Sequence, residues 1–410
     1  MSLDLDEFRA ALRAWLPANL DRRGRAVGDP YAPEHVAEHR LIQRRLWDGG
    51  YAGLSWPQDF GGGGLSREHE QVFAAEAKEF VTPDFGVLGV TTFGSCVPTM
   101  IRHATPEFLA RHVPAVLRGE ELWCQFFSEP AAGSDLAGVQ TRAERTEDGE
   151  WSLSGAKVWS SAAHLADWAM CLARTDADVP KHKGLTWFAV PTDAPGLTVR
   201  PIRMSSGERD FCEEFLDGVP VPDEDRIGPV DGGWAITSTL LVYERGAGRP
   251  AVDEHPDDPG RLDDELVDLA RRQGRAGETA VQDLIVSVHL QRFVNAQVKA
   301  RAATRTRLGT MTAGMASFAK LTEAGLAPAR SRALMEIGGA ASVAWSRGDG
   351  DAAAAANTFL VSKRLAVAGG TEQMQRNAIS ERVLGLPRER SVDSDVPFRE
   401  VQRRARDWTP

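Results

Sequence analysis

No stretch of this chain holds the ~20 consecutive apolar residues that a bilayer-spanning helix requires, and its 4 cysteines are scattered with no C-x-x-C pair. The first absence argues against a helical membrane span. The second argues against a disulfide framework or a thiolate metal site and fits a reducing cytoplasm. Arginine and lysine form no basic stripe with interleaved aromatics, and the formal net charge is −10, so nucleic acid is not an expected partner. The basic cluster FREVQRRARDW near the end reads as a solvated helix face. The opening MSLDLDEFRAALRAWL is acidic and amphipathic, without the basic start and apolar core of a signal peptide. H-E-x-x-H, G-x-S-x-G and G-x-x-x-x-G-K-[ST] are all missing. The 9 histidines read as structural or surface residues, and no metal centre is expected.

What is present is a chain of 410 residues, 42% of them hydrophobic, enough for a large core in several parts. Residues 1–122 read as helical: Phe8, Leu12 and Trp15 repeat at helical spacing, and Arg40 to Trp47 looks like a second helix. Pro57 and the glycines of DFGGGGLS interrupt that pattern, and Ser66 partly caps a further helix. No strand precedes the glycines and no Lys-Ser/Thr follows them, so they predict a plain loop rather than a phosphate cradle. Residues 123–232 change character. EWSLSGAKVWSSA, DWAMCLART, GLTWFAVPTD and GLTVRPIRM are short, partly alternating segments punctuated by Gly, Pro and Asp, which predicts a β-sandwich or barrel. Residues 233–410 return to helical patterning, broken by VDEHPDDPGRLDDE, which reads as a surface loop. The alanine-rich GDGDAAAAANTFLVSKRLA suits a helix. The expected fold is therefore α+β and multidomain, in the order helical, β, helical.

One local pattern asks for a function. If ITSTLLVYERGAG (236–248) is a helix, Ile236, Leu240, Tyr243 and Ala247 fall on one buried stripe, and Glu244 borders it with no Lys or Arg at i+3 or i+4.

Four stretches supply the context. FFSEPAAGSDLAG (126–138), GAKVWSSAA (155–163), VPVPDEDRIGPVDGGW (219–234) and VAGGTEQMQRNAISERVLGLPRE (367–389) follow one another across nearly the whole chain. Together they resemble the signatures of the acyl-CoA dehydrogenase family, whose members have the same helical, β, helical order with a four-helix bundle at the C-terminal end. The resemblance implies a tightly bound FAD. The matching cofactor positions are Gln125, Phe127, Ser128, Ser134, Trp159 and Ser161, with Thr371 and Gln373 from the last signature. A flat ring with polar edges needs an aromatic or apolar wall and a few convergent donors. Trp159 by itself reads as core packing, but the flanking Lys157 and Ser161 favour the cofactor reading, and Ser128 and Ser134 read also as turn formers.

The resemblance further implies α,β-dehydrogenation of an acyl-CoA thioester: a carboxylate takes the α-proton, the β-hydride passes to flavin N5, and a backbone N–H helps polarise the carbonyl. In many members the base is a Glu just before the Gly-Thr of the last signature, where this chain has Gly369. That position keeps the N–H and loses the carboxylate. A minority carry the Glu in a Leu-x-x-Glu-Arg context on the first helix after the β domain. LVYER matches it, assigning Glu244 as base and Arg245 as a substrate-positioning residue. Glu372 is a rival set three residues late. Two stretches depart from the family: LARRQGRAG (269–277) lacks the aromatic of the usual cross-subunit FAD contact, and LMEIGGAAS (334–342) puts Glu336 where a neutral Gln is usual. Arg271, Arg272 and Arg275 read either as pyrophosphate partners or as a solvated helix face. Electron-transferring flavoprotein is the implied electron acceptor, and the implied assembly is a homo-oligomer or a heteromer with a related chain. Two alternatives stay open: a flavin-dependent oxidase or monooxygenase on the same fold, and a catalytically weak structural subunit.

Overall fold

The computed structural model describes residues 4–24, 29, 31–244, 261–308, 310, 313–346, 350–388, 391 and 393–407. Arg245, Ala247 and most of the predicted loop between 252 and 265 lie outside the described residues. Contacts divide the chain into two compact units, one of residues 1–204, 208–252 and 391–410, the other of 205–207 and 253–390.

In the first unit, Asp4 caps helix α1 (Leu5–Asn19) by accepting from the N–H groups of Asp6 and Glu7. The helix buries Phe8, Leu12 and Leu16, while Trp15 at its edge packs on Tyr51. Helix α2 runs Pro33–Asp48 and so starts earlier than the expected Arg40, since Pro33 at its first turn has no N–H to leave unsatisfied. The glycine run is a tight loop. A Cβ on Gly62 would lie 2.3 Å from the Trp56 carbonyl oxygen, and Gly61 and Gly64 adopt φ of 87° and 61°, which glycine alone takes readily. Ser66 precedes α3 (Arg67–Glu76), but its hydroxyl pairs with His69 Nδ1 at 2.9 Å instead of capping a backbone N–H. Helices α4 (Gly86–Thr91), α5 (Val97–His103) and α6 (Pro106–Leu117) follow, with a π-helical turn, Thr92–Cys96, between α4 and α5.

The strand-rich segments form one sheet: β1 (Trp123–Phe126), β2 (Arg142–Arg145), β3 (Trp151–Ser161), β4 (Trp168–Arg174), β5 (Leu185–Pro191), β6 (Leu197–Ile202), β7 (Phe211–Val221) and β8 (Arg226–Ile227). The order is β6-β7-β3-β2-β4-β5-β8, with β1 parallel to β4. Alternation along each strand sorts side chains into two cores. Met170, Leu172, Leu185, Trp187 and Ala189 join the helical core of α1–α6. Ala169, Cys171, Ala173, Phe188 and Val190 fill the opposite face. Burial on both faces explains why β4 and β5 read as nearly continuous apolar runs. Helix α7 (Gly233–Val242) packs on β5 and buries Ile236 and Leu240. Trp187 Nε1 ties the two together by donating to Gly233 O and Thr237 Oγ1, each at 3.1 Å.

The second unit is helical: α8 (Asp264–Arg272), α9 (Thr279–Arg307), α10 (Ala313–Gly338), α11 (Gly350–Ser362) and α12 (Glu372–Arg382). Helix α10 is central and touches the other four. Leu266, Leu269, Val281, Ile285, Leu334 and Ile337 lie in its core. The last helix, α13 (Phe398–Asp407), returns to the first unit.

Candidate active site

Strand alternation aims the first site residues. Trp123, Gln125 and Phe127 follow one another at period two, and Trp123 and Phe127 pack into the helix-facing core. Phe127 meets Trp187 edge-on, ring centroids 5.0 Å apart, so β1 is linked through Trp187 to α7. Helix α7 continues past Val242 into a π-type turn at Tyr243 and Glu244. Glu244 is half-buried, as a residue bordering the Ile236–Leu240 stripe should be. It is coupled to the same region. Burial drives the Cys96 thiol well up, the Gln125 side chain pulls it back by hydrogen bonding, and the charge of Glu244 pushes it up further. Cys96, on the π-helical turn before α5, thus stands in the electrostatic reach of both Gln125 and Glu244. Sequence patterning left Cys96 as one scattered cysteine, because nothing local marks a thiol as a neighbour of a distant helix end.

Between Val158 and Ser160 the pairing of β3 with β7 shifts register. Trp159 occupies the bulge with φ of 69° and is 53% exposed. A large aromatic in the left-handed region, half in water, is an uneconomical arrangement for packing alone. It touches Phe211 edge-on at 6.0 Å and presents a free face. The bulge also sends Ser160 inward, where its hydroxyl donates to Glu214 at 3.0 Å, and leaves Ser161 partly exposed. Ser128 is partly buried, its carbonyl accepting from Val158 N at 3.0 Å, whereas Ser134 is exposed at the tip of the loop after β1. An exposed aromatic wall beside hydroxyls and backbone amides suits the edge and face of a flavin.

Lys157 of the same strand faces the interior. Its ammonium donates to Glu129 Oε1 at 2.8 Å and to the carbonyls of Phe127 and Leu172. Glu129 also accepts from the N–H groups of Gln140 and Thr141. Burial would raise the Glu129 carboxyl, but Lys157 and these donors hold it below the ordinary value. The Glu of one signature and the Lys of the other therefore secure each other, and the Lys does not flank the cofactor wall.

In the second unit Gly369 and Gly370 adopt φ of 67° and 93°. Thr371 caps α12 by accepting from Met374 N at 3.2 Å. Gln373 is exposed on the first turn. The turn is fixed from below by Gln375, a buried residue passed over in the sequence, whose amide donates to the carbonyls of Gly369 and Gly370 at 3.2 and 3.1 Å. The signal for it was a polar residue one helical turn into α12. Glu372 pairs with Arg376 at 3.2 Å. Glu336, near the end of α10, pairs with Arg332 at 2.5 Å. Arg271 pairs with Asp268, and Arg275 with Glu278 and the carbonyls of Glu336 and Ile337. Among the described residues no group of three metal-ligating side chains stands together, and no helix is long and apolar enough to cross a membrane.

Comparison with known proteins identifies the family. Residues 4–120 match the acyl-CoA dehydrogenase N-terminal domain and residues 124–219 its middle domain. The chain is 35% identical over 401 residues to the acyl-CoA dehydrogenase IpdE1 of Mycobacterium tuberculosis, covering 94% of this chain and 99% of that one. It is 39% identical over 350 residues to FadE34 of the same organism, covering 84% of this chain but only 46% of that protein, so it spans about half of FadE34. Among solved structures, the Tcur3481-Tcur3483 steroid ACAD superposes with a TM-score of 0.70 at 26% identity over 94% of this chain and 98% of that one. The ChsE4-ChsE5 complex of M. tuberculosis gives 0.69 at 26% identity, over 95% and 99%. The chain belongs to the acyl-CoA dehydrogenase family. It is an FAD-dependent oxidoreductase of lipid metabolism, with the family's helical, β, helical fold.

Proposed function

We propose that the chain oxidises an acyl-CoA thioester at its α,β bond, with Glu244 as the base and the Gly369 N–H as a donor to the thioester carbonyl. The observation that carries this reading is the position of Glu244, half-buried at the end of α7 and within electrostatic reach of Cys96 beside Gln125. FAD, when bound, supplies the hydride acceptor. A carboxylate at the border of the apolar Ile236–Leu240 stripe is placed to take the α-proton of a substrate seated beside it. A left-handed Gly369 with its carbonyl tied to Gln375 leaves its N–H for a ligand, and one such donor contributes roughly 3 kcal/mol to a developing oxyanion. Trp159 serves as a wall for the flavin, with Gln125, Phe127, Ser128, Ser134, Ser161, Thr371 and Gln373 contributing around the cofactor. Arg245 positions the substrate beside Glu244.

The acyl group we favour is bulky and steroid-like, supported by the steroid ACAD among the similar structures. Electrons leave to an electron-transferring flavoprotein. Assembly with a second copy or a related chain is supported by the stripe of exposed Val286, Leu290, Phe293 and Val294 along α9. The four buried free thiols support a reducing, cytoplasmic location.

Anaerobic titration of the yellow protein with short, long and steroid-bearing acyl-CoAs tests the reading. Bleaching of the flavin band by one of them, slowed at least 100-fold in Glu244→Gln, is expected. Bleaching within a few-fold of wild type in that variant would remove Glu244 as base. A flavin that no acyl-CoA reduces would point to the oxygen-using alternative, and a colourless protein to a structural subunit.

A further inference from the structure

The chain's last described residues, 391 and 393–407, belong by their contacts to the first unit. It lies along the loop between β4 and β5: Phe398 N donates to Val179 O at 3.0 Å, Arg399 N to Ala177 O at 2.9 Å, and Pro397 bridges Pro180. From there two routes lead to the loop that carries Ser134. In the first, the Phe398 ring covers the guanidinium of Arg174, 3.7 Å from ring centroid to carbon. Arg174 is buried, and its other donors hold Ala137 O at 2.6 Å, Val139 O at 3.2 Å and Lys181 O at 3.1 Å. In the second, Asp393 Oδ2 accepts from Lys181 Nζ at 2.8 Å, and the same ammonium donates to both oxygens of Asp135 at 2.9 Å. Asp135 follows Ser134 directly.

The two ends of the Ser134 loop are therefore held by different things. Its start is anchored inside the β domain, where Glu129 meets Lys157. Its far half, 135–139, has its carboxylate and two of its carbonyls tied to Lys181 and Arg174. The tail reaches both cations, pairing with one and covering the other. A planar guanidinium with three carbonyls on its rim has only its faces left to shield, and an aromatic ring is suited to that.

We propose that the C-terminal segment is a strap that sets the position of residues 134–139, and so the affinity for FAD, with Lys181 and Arg174 as positioning residues acting through Asp135 and the loop carbonyls. The proposal rests on the reading that Ser134 meets the cofactor. It assigns to Asp393 and Phe398 a part in cofactor retention that lies outside the four signatures.

The test uses the full chain with Asp393→Asn, Phe398→Ala, the conservative Asp393→Glu, and Ser134→Ala as a reference. Amide exchange across 133–139 is followed alongside the FAD dissociation constant of the reconstituted apoprotein. Expected are exchange at least 10-fold faster in 133–139 with the rest of the sheet unchanged, and FAD binding about 10-fold weaker in Asp393→Asn. Phe398→Ala should show the same pattern, and Asp393→Glu should restore most of both. If Phe398→Ala does not fold, Asp393→Asn alone decides. Unchanged exchange in 133–139, or exchange rising equally through the whole sheet, overturns the strap. Faster loop exchange with FAD binding within twofold overturns its link to the cofactor. In that case an effect of Ser134→Ala on binding shows that the Ser134 reading stands, and no effect shows that the reading itself has failed.

Discussion

Lys157 Nζ lies 2.8 Å from Glu129 Oε1 with both side chains closed off from water. The pair joins the first and second signatures at a point where neither touches solvent, and the ammonium is completed by the carbonyls of Phe127 and Leu172. Such a pair contributes little over a well-packed apolar substitute, but halving it strands a charge.

Lys157→Met should therefore lower stability by about 3–5 kcal/mol, the cost of leaving Glu129 buried without its partner. The double variant Lys157→Met/Glu129→Gln should recover a large part of that loss. Urea unfolding of wild type, both single variants and the double variant measures it. A single-variant loss under about 1 kcal/mol would mean that water reaches Glu129.

Glu214 lies on the neighbouring strand, and its carboxyl is raised to about 7, chiefly by burial, with the Ser160 hydroxyl and Lys157 pulling the other way. Its Oε1 has no hydrogen-bond partner. Its folded value lies above the ordinary 4.5, so between those values the folded state keeps a proton that the unfolded chain gives up. Stability thus falls as pH rises from about 4.5 to about 7 and levels off above, by about 3 kcal/mol at most from this group. Glu214→Gln retains a partner for Ser160 and removes the titration. Unfolding midpoints from pH 5 to 8 should converge at the acid end, with the variant more stable at pH 8. Parallel curves for the two proteins would show that Glu214 is ionised throughout.

The fold was largely legible because its signals are local. Met170 and Leu172 alternate with Ala169 and Cys171 within one strand, and Ile236 and Leu240 repeat at helical spacing. The glycine run declared a loop by lacking the strand and Lys-Ser/Thr of a phosphate cradle. What stayed hidden is non-local. That Lys157 turns inward while Trp159 turns out depends on a register shift against β7. The position of Cys96 near Glu244 depends on the packing of α5 and α7 in one unit. The tail read only as a solvated face, since its arginines dominate the pattern and its buried anchor, Phe398, stands at its edge.

Gln375 offers a local test of the Gly369 turn. Its amide is the donor to both glycine carbonyls, and Gln375→Leu removes that donor while keeping the shape. A carbonyl that water does not then reach costs roughly 1–3 kcal/mol. Loss of the unpartnered Oε1 of Gln375 offsets part of this. Amide exchange in 367–372 should quicken while α10 keeps its protection, and flavin reduction by acyl-CoA should slow. Unchanged exchange would show that the left-handed glycines hold the turn alone.

Trp159 separates packing from cofactor binding most cleanly. A tryptophan buried in a core costs about 3–5 kcal/mol to truncate. Trp159 instead sits half exposed at a φ of 69°, a conformation that costs a non-glycine residue of order 1 kcal/mol or more and glycine almost nothing. In Trp159→Gly, relief of that strain opposes both the lost Phe211 contact and the greater freedom of the unfolded chain. Apoprotein stability should therefore change by less than about 1 kcal/mol in either direction. FAD affinity should fall at least 10-fold, because the wall is gone. Chemical unfolding of the apoprotein and flavin fluorescence on reconstitution give the two numbers. A loss of several kcal/mol with FAD binding intact would make Trp159 a packing residue and move the flavin wall elsewhere on the β domain.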